Sequence, residues 1–440
     1  MILTYLEFFA GVGGWSYALE YALRNVGGPL DCQLLAAFDH SDLCKSVFVH
    51  NHQSKKKLFH QTPIERVTRE QLEKYSAHVW CMSPPCQPHT RQHSNQQCEL
   101  DDPRSKSFLH LCQMIESMEV STLPCLILLE NVIGFELSGI ATNGCDTEAQ
   151  HASEIETNEQ EQPRRGSFQT FRNVLAKRQY RVAHFHLDPT DIGIPNARPR
   201  HYTIAFRQTT RINDDSISNL VSNDHDNLFT NENLEKAPII HGPQSLGTTS
   251  PALPCIGDFL DASCKDEPLL RIPEKVWSSS SAWCFDVVTA LHHRSACFTH
   301  SYGKFVRGTG SILYTRSLDI DEKNGNRKRD RATAFLASTR FDLEAPEGRH
   351  FDADWSQDID WEKEMRYLSG TEIARLMGFP VARPAAGTLG DSDVDNAYRK
   401  FSFPDTTTVK QQWKLLGNSL NVKVAGKMAE IGVKCLLLKR

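Results

Sequence analysis

The stretch that decides the fold is Leu3-Thr4-Tyr5-Leu6-Glu7-Phe8-Phe9-Ala10-Gly11-Val12-Gly13-Gly14. Its apolar first half reads as a short buried strand running straight into glycines. From Trp15 to Leu23 apolar residues recur at three- and four-residue spacing, the pattern of an amphipathic helix. Strand, glycine loop and helix in that order let backbone approach a ligand closely beside a helix N-terminus. The order here is G-x-G-G, not the G-x-G-x-x-G of the dinucleotide fingerprint, which disfavours a dehydrogenase. A tight turn without a ligand is the alternative at this point. Leu34 to Phe38 is a second strand, and Asp39 at its end stands where an acid accepts hydrogen bonds from ribose hydroxyls. Together these features suggest an adenosine-containing cofactor.

Working outward, Val79–Met82 and Leu126–Leu129 are further short apolar runs, each followed by a polar, turn-rich segment. Strands alternating with helical stretches predict an α/β fold built on a parallel sheet covered on both faces, with ligands at the carboxyl ends of the strands. Three polar stretches read as insertions: Gly139–Pro163, expected to be disordered from its composition, Arg211–Gly247, and Asp319–Asp360. The last contains the basic run from Lys323 to Arg331, whose readings are a phosphate contact, a nuclear signal or a solvated loop.

The length of 440 residues suits two domains, and 40% hydrophobic residues can fill a sizeable core. No apolar run reaches the length of a spanning helix. Met1–Phe9 carries Glu7 and no basic region, so it is read as a strand rather than a signal peptide. A net charge of −5 excludes a uniformly basic nucleic-acid coat but not a local basic face. The thirteen cysteines include no Cys-x-x-Cys pair, which argues against zinc sites of that spacing and against a secreted disulfide framework. The expectation is a reducing compartment, cytoplasmic with the nucleus as a second site, and no resident metal. His292-His293 is read as a surface pair.

Met82-Ser83-Pro84-Pro85-Cys86-Gln87-Pro88 frames one thiol with three prolines at a strand end. Such rigid presentation is what a nucleophile needs to meet its substrate at a set angle. Glu130, closing the run Leu128-Leu129-Glu130-Asn131-Val132, is either a solvated strand terminus or a carboxyl able to protonate a heteroaromatic nitrogen. Arg198 and Arg200 occupy alternate positions; if extended, both project to one side and could hold a base and a phosphate.

In sequence order, Phe9-x-Gly11-x-Gly13-Gly14, Pro84-Pro85-Cys86-Gln87-Pro88, Glu130-Asn131-Val132, Arg198-x-Arg200 and Gly417-Asn418-Ser419 resemble the hallmarks of the S-adenosylmethionine-dependent cytosine-5 methyltransferases. Cys297-Phe298-Thr299, Tyr302-Gly303 and Gly308-Thr309-Gly310-Ser311 resemble the tRNA branch of that family, the DNA methyltransferase homologue 2 type. Asp102-Pro103-Arg104, Ser107-Phe108-Leu109, Tyr367-Leu368-Ser369, Gly378-Phe379-Pro380 and Leu415 to Val422 add to the likeness. It spans roughly Leu3–Ser138, Phe168–Phe206, Ile256–Ser317, Arg366–Pro380 and Phe401 onward. His89, and His300-Ser301, depart from the family pattern.

The resemblance implies a Rossmann-like methyltransferase sheet formed by residues 1–207 and 401–440, with a smaller target-recognition domain at 208–400. It implies Cys86 as nucleophile toward C6 of cytosine, Glu130 holding N3 and the exocyclic amine, and Arg198 and Arg200 holding the base and the surroundings of Cys86. S-adenosylmethionine would lie against Phe9, Gly11, Gly13, Gly14, Asp39, Ile64, Pro85, Asn418 and Ser419. Gln87, Arg91, Arg104, Cys297, Phe298, Thr299 and Lys304 would face the nucleic acid. The implied substrate is tRNA, at cytosine 38 of aspartate tRNA, acted on by a monomer away from membranes. The alternatives are a DNA cytosine-5 methyltransferase and an RNA-binding protein that has lost catalysis.

Overall fold

The computed structural model describes residues 1–85, 103–137, 166–207, 229, 239–242, 251–264, 266–279, 281–315, 360–382 and 400–437. The stretch 139–163, and nearly all of 211–247 and 319–360, lie outside the described residues, as do Cys86, Gln87 and Arg91.

The predicted opening unit is present. Strand β1 (Ile2–Phe8) leads through the glycine loop into helix α1 (Gly14–Val26), then β2 (Asp31–Phe38) and α2 (Asp42–Asn51). Next come β3 (Phe59–His60), α3 (Arg69–Tyr75), β4 (Val79–Met82), α4 (Pro103–Ser117) and β5 (Leu126–Val132). Helix α5 (Ser167–Lys177), β6 (Arg181–Leu187), β7 (Arg200–Phe206) and β8 (Ile239–His241) complete a sheet of order β3-β2-β1-β4-β5-β7-β6-β8. From β3 through β5 neighbouring strands are parallel, as expected.

The all-parallel expectation fails at one strand. β7 runs antiparallel to both β5 and β6. It follows β6 through residues 188–199, which hold a 3-10 turn at Pro189–Ile192 but no α-helical crossover, and returns beside it so that Leu187 faces Arg200. Parallel neighbours need a crossover of a dozen or more residues, usually helical; a hairpin-like return gives an antiparallel pair. β8, although within 208–400, pairs with β6 at the far edge of this sheet.

A second sheet, of order β11-β10-β9, is formed by β9 (Asp286–Val288), β10 (Ser311–Tyr314) and β11 (Met365–Tyr367). Helices α6 (Gly370–Leu376), α7 (Val409–Gly417) and α8 (Val422–Leu437) close the chain.

Alternation along β1 divides the core between the faces of the large sheet. Leu3 and Tyr5 pack with α1 and α8, whereas Leu6 and Phe8 pack with Leu72 of α3 and Phe108 and Leu111 of α4. Each fully buried large side chain contributes roughly 1.5–3 kcal/mol relative to its exposed state. The C-terminal α8 returns to lie on α1. A Cβ on Gly426 would come within 2.5 Å of the Tyr21 ring, so glycine there sets how closely the two helices cross. The first and last segments of the chain thereby form one layer beside the strand ends.

Candidate active site

Phe9 leaves β1 with φ +57°, a conformation uncommon for a bulky side chain. Gly11 follows at φ +55°, and open space surrounds the position a Cβ would occupy. This is a cradle that a side chain would fill. The Gly11 N–H donates to Asp39 Oδ2 at 2.9 Å, and the Ser41 N–H donates to Oδ1 at 2.9 Å. Asp39 therefore joins the β1 loop to the β2 loop, and each of its oxygens retains lone pairs for another donor. At Gly14 a Cβ would lie 3.0 Å from Leu420, and at Gly13 2.7 Å from His52 Nε2. The loop is thus packed from behind and open at Gly11. Such a cradle, with an acid at the next strand end, fits an adenosine-containing ligand.

Glu7 holds this loop in place and was not singled out as a site residue from sequence. It lies on the α1 side of β1, fully buried. It accepts from the Trp15 N–H at 2.9 Å and from the Ser16 hydroxyl at 2.7 Å, capping α1 where no N-cap side chain does. Burial lifts its carboxyl from 4.5 to about 7, and the hydrogen bonds from Ser16 and Trp15 only partly oppose that rise. The signal available in the sequence was a lone acid inside an apolar strand.

At the end of β4 the Trp15 indole N–H donates to Ser83 Oγ at 2.9 Å, and Asn131 Nδ2 donates to the Pro84 carbonyl at 3.4 Å. These bonds fix the base of the proline loop up to Pro85, which is exposed and immediately precedes Cys86. Ser83, Trp15 and Asn131 carry this support and were also missed.

Glu130, near the end of β5, is 8% exposed and sits 3.3 Å from Arg200 Nε through its Oε1. Burial raises its carboxyl above the ordinary range, opposed by the charges of Arg200 and then Arg198 and by a hydrogen bond from Ser83. The solvated-terminus reading of Glu130 is therefore excluded. What remains is a shielded carboxyl, able to exchange a proton, beside the base of the Cys86 loop.

The two arginines divide. Arg200 opens β7 and faces Glu130, while Arg198 precedes the strand and does not project with it. Arg198 Nη1 donates to the Phe298 carbonyl at 2.8 Å and approaches Cys297 Sγ at 3.4 Å. Its Nη2 donates to the Gly417 carbonyl at 3.0 Å and to that of Ser419. The paired base-and-phosphate expectation thus needs correction for Arg198. It is a buried strut joining the 297–299 segment to the C-terminal return.

Gly417 completes this seam, because a Cβ there would come within 2.1 Å of the Thr299 and His300 backbone. Phe298 is buried with its ring edge-on to Tyr302, and Thr299 is half-buried. Asn418 is exposed at the C-terminus of α7, and Ser419 half-buried. Ile64 lies in the core beside Phe38, in a short turn packed on α4. Lys304 stands apart from these contacts, exposed, its ammonium 5.1 Å over the Phe305 ring. Arg104 lies in the first turn of α4, and its side chain is outside the described residues.

A glycine cradle, the base of a proline-rich loop and a buried acid–arginine pair lie at the ends of adjoining strands, an arrangement compatible with a methyltransferase site. The sequence pattern of the C-5 cytosine-specific DNA methylases matches residues 3–139 and 157–432, and the chain belongs to that family. It is 27% identical over 469 residues to a human tRNA (cytosine(38)-C(5))-methyltransferase, covering 98% of each chain. A Dictyostelium discoideum DNA (cytosine-5)-methyltransferase is 26% identical, with 98% of this chain and 94% of that one covered. The fold is that of the crystal structure of an S. pombe Dnmt2 methyltransferase, with TM-score 0.61, 24% identity and 99% of each chain covered.

Proposed function

We propose that the chain methylates C5 of a cytosine in tRNA, at cytosine 38 of the aspartate tRNA anticodon loop, with S-adenosylmethionine as donor. The observation that carries this reading is the buried Glu130–Arg200 pair beside the loop that leads to Cys86, in a chain whose full-length relatives include enzymes named for that tRNA position. When bound, S-adenosylmethionine supplies a methyl group on a sulfonium. Phe9, Gly11, Gly13, Gly14, Asp39, Ile64, Pro85, Asn418 and Ser419 are the residues assigned to hold it, and the open side of Gly11 fits such a ligand.

The protein's own part follows from chemistry. The Cys86 thiolate adds to C6 of cytosine, forming a C–S bond and making C5 nucleophilic. Glu130 holds N3 and the exocyclic amine, and its raised carboxyl can carry the proton that N3 needs. After methylation a base removes the C5 proton, the C6–S bond breaks, and the thiolate leaves. Taking the target base out of a duplex costs a few kcal/mol, and less from a loop, which favours an anticodon-loop cytosine. Residues 208–400 act as the target-recognition region, with Gln87, Arg91, Arg104, Cys297, Thr299 and Lys304 toward the nucleic acid; Phe298, expected there too, is instead buried against Tyr302 and anchors the segment. The working form is a monomer in cytoplasm and nucleus; the ten described cysteines, all free, suit a reducing compartment. A second reading, DNA as substrate, is favoured by the Dictyostelium relative.

The test is methyl transfer to a defined tRNA and to duplex DNA of similar length. Wild type is expected to modify the tRNA faster, Cys86→Ala to abolish transfer, and a 5-fluorocytosine target to trap a Cys86 adduct. Faster methylation of DNA promotes the second reading; undiminished turnover by Cys86→Ala removes the mechanism.

A further inference from the structure

Behind β7, on the face opposite Arg200, lies a polar cluster that the reaction does not use. His186 of β6 and His201 of β7 face each other directly in the antiparallel ladder, so their rings lie on one side of the sheet. Glu136 reaches them from the short turn Phe135–Leu137 that follows β5. Its Oε1 is 3.1 Å from His186 Nε2 and its Oε2 is 3.5 Å from His201 Nδ1. Both ring nitrogens are shielded from solvent; His186 is close enough to share a hydrogen bond with Glu136, whereas His201 Nδ1 is not in hydrogen-bonding alignment. His201 is fully buried. A buried polar atom left without a hydrogen bond costs about 1–3 kcal/mol, so His201 Nδ1, aimed at a carboxylate that already holds His186, calls for a further partner.

The separations suit an ion. The three donor atoms lie within 4.8 Å of one another. Around a tetrahedral Zn²⁺ with N and O ligands, neighbouring donors are about 3.4 Å apart. Each imidazole nitrogen already stands near that distance from a carboxylate oxygen, His186 from Oε1 and His201 from Oε2. The other ring nitrogen of His201 supports a tautomer suited to this. Thr203 Oγ1 lies 3.1 Å from His201 Nε2 and 2.9 Å from His184 Nδ1. If His201 Nε2–H donates to Thr203, and the Thr203 hydroxyl donates to His184, then His201 Nδ1 presents a lone pair toward Glu136. Such an outer hydrogen bond is how ligating histidines are oriented. On the open side the exposed His241 of β8 has its ring 5.0 Å from that of His186.

We propose that Glu136, His186 and His201 form a site for a divalent transition ion, Zn²⁺ foremost, with His241 or a water as fourth ligand. It would clamp β5, β7 and β6 together behind the strand that carries Arg200.

The experiment uses the full chain, stripped with a chelator and titrated with Zn²⁺ against a chromophoric competitor, with Co²⁺ as an optical probe. One equivalent should be held, the melting temperature should rise, and the Co²⁺ spectrum should lack thiolate charge transfer despite thirteen cysteines. Glu136→Gln and His186→Gln should each weaken Zn²⁺ binding about tenfold or more. Failure to retain an equivalent, a thiolate spectrum, or unchanged affinity in both variants overturns the site. X-ray absorption on zinc-loaded wild type decides the matter even where a variant does not fold: imidazole scattering without sulfur supports the site, and sulfur in the shell sinks it.

Discussion

The glycine loop at 9–14 and the seam at 198, 297–300 and 417–419 both bring backbone close to the reaction site, but by opposite means. In the loop the contacts are nearer in sequence: Glu7 caps the helix that starts seven residues later, and Asp39, 28 residues on, holds Gly11. In the seam one guanidinium joins carbonyls about 100 and 220 residues away. A local device leaves a readable motif, whereas a long-range one leaves isolated residues whose meaning depends on the fold. The seam should therefore be the more fragile of the two, since one side chain holds three segments.

Arg198→Met tests this most severely. It leaves the carbonyls of Phe298, Gly417 and Ser419 without their charged donor, and buried losses of this kind amount to about 3–5 kcal/mol. Denaturant melts should show that loss, and methyl transfer should collapse. Arg198→Lys, a single point charge without the planar fork, should recover only part of either. Stability within 1 kcal/mol of wild type in Arg198→Met would mean that the seam is held by something else.

Gly417→Ala breaks the same seam from the other side. The new methyl meets Thr299 and His300 backbone, which cannot swing away as a side chain could. Overpacking of this sort costs about 1–3 kcal/mol. Because the 297–300 segment must shift, KM for tRNA should rise as stability falls. A variant equally stable and active would show that the two segments separate freely.

In the loop, the expected effect depends on pH. The folded chain binds the Glu7 proton more tightly than the unfolded chain, since burial raises that carboxyl from 4.5 to about 7. The resulting stability is fully present below pH 4.5 and is lost as pH rises through 7. The whole interval is worth on the order of 3 kcal/mol. Glu7→Gln removes the titration, so its stability relative to wild type should improve from pH 5 to pH 8. Parallel stability curves for the two proteins would show that Glu7 does not titrate in this window.

The same contrast governs what could be read in advance. The strand–glycine–helix opening, Asp39, the proline frame and Glu130 were legible because each stands in a short local sequence pattern, a strand end beside glycines, prolines or an apolar run, even though its partners lie farther along the chain. The reversed β7 was not, since nothing in Arg200–Phe206 records which way its neighbours run; the lack of an α-helix between Leu187 and Arg200, where only a short 3-10 turn stands, was the clue. Arg198 was legible as a site residue but not as a strut, because two arginines at alternate positions look equivalent until one lies outside the strand. Glu7 and Ser83 stood inside the motifs that were read, and were passed over because their partners lie on another element.

The smallest expected effect lies beyond the seam, on the exposed side of the 297–300 segment. Lys304 and Phe305 sit side by side there, with the ammonium 5.1 Å over the ring and Phe305 56% exposed. If this face meets tRNA, the two should fail differently. Lys304→Ala removes one counterion-releasing contact, so the log–log dependence of affinity on salt should flatten by about 0.7 for single-stranded RNA. Phe305→Ala removes a stacking surface worth about 1–3 kcal/mol per base where a base stacks on it, and should weaken binding without changing the slope. Neither should disturb the melting temperature, since both side chains are exposed and outside the Arg198 seam. A salt titration of tRNA binding for wild type and both variants separates the terms. Unchanged affinity and slope in both would move the nucleic-acid face away from Lys304.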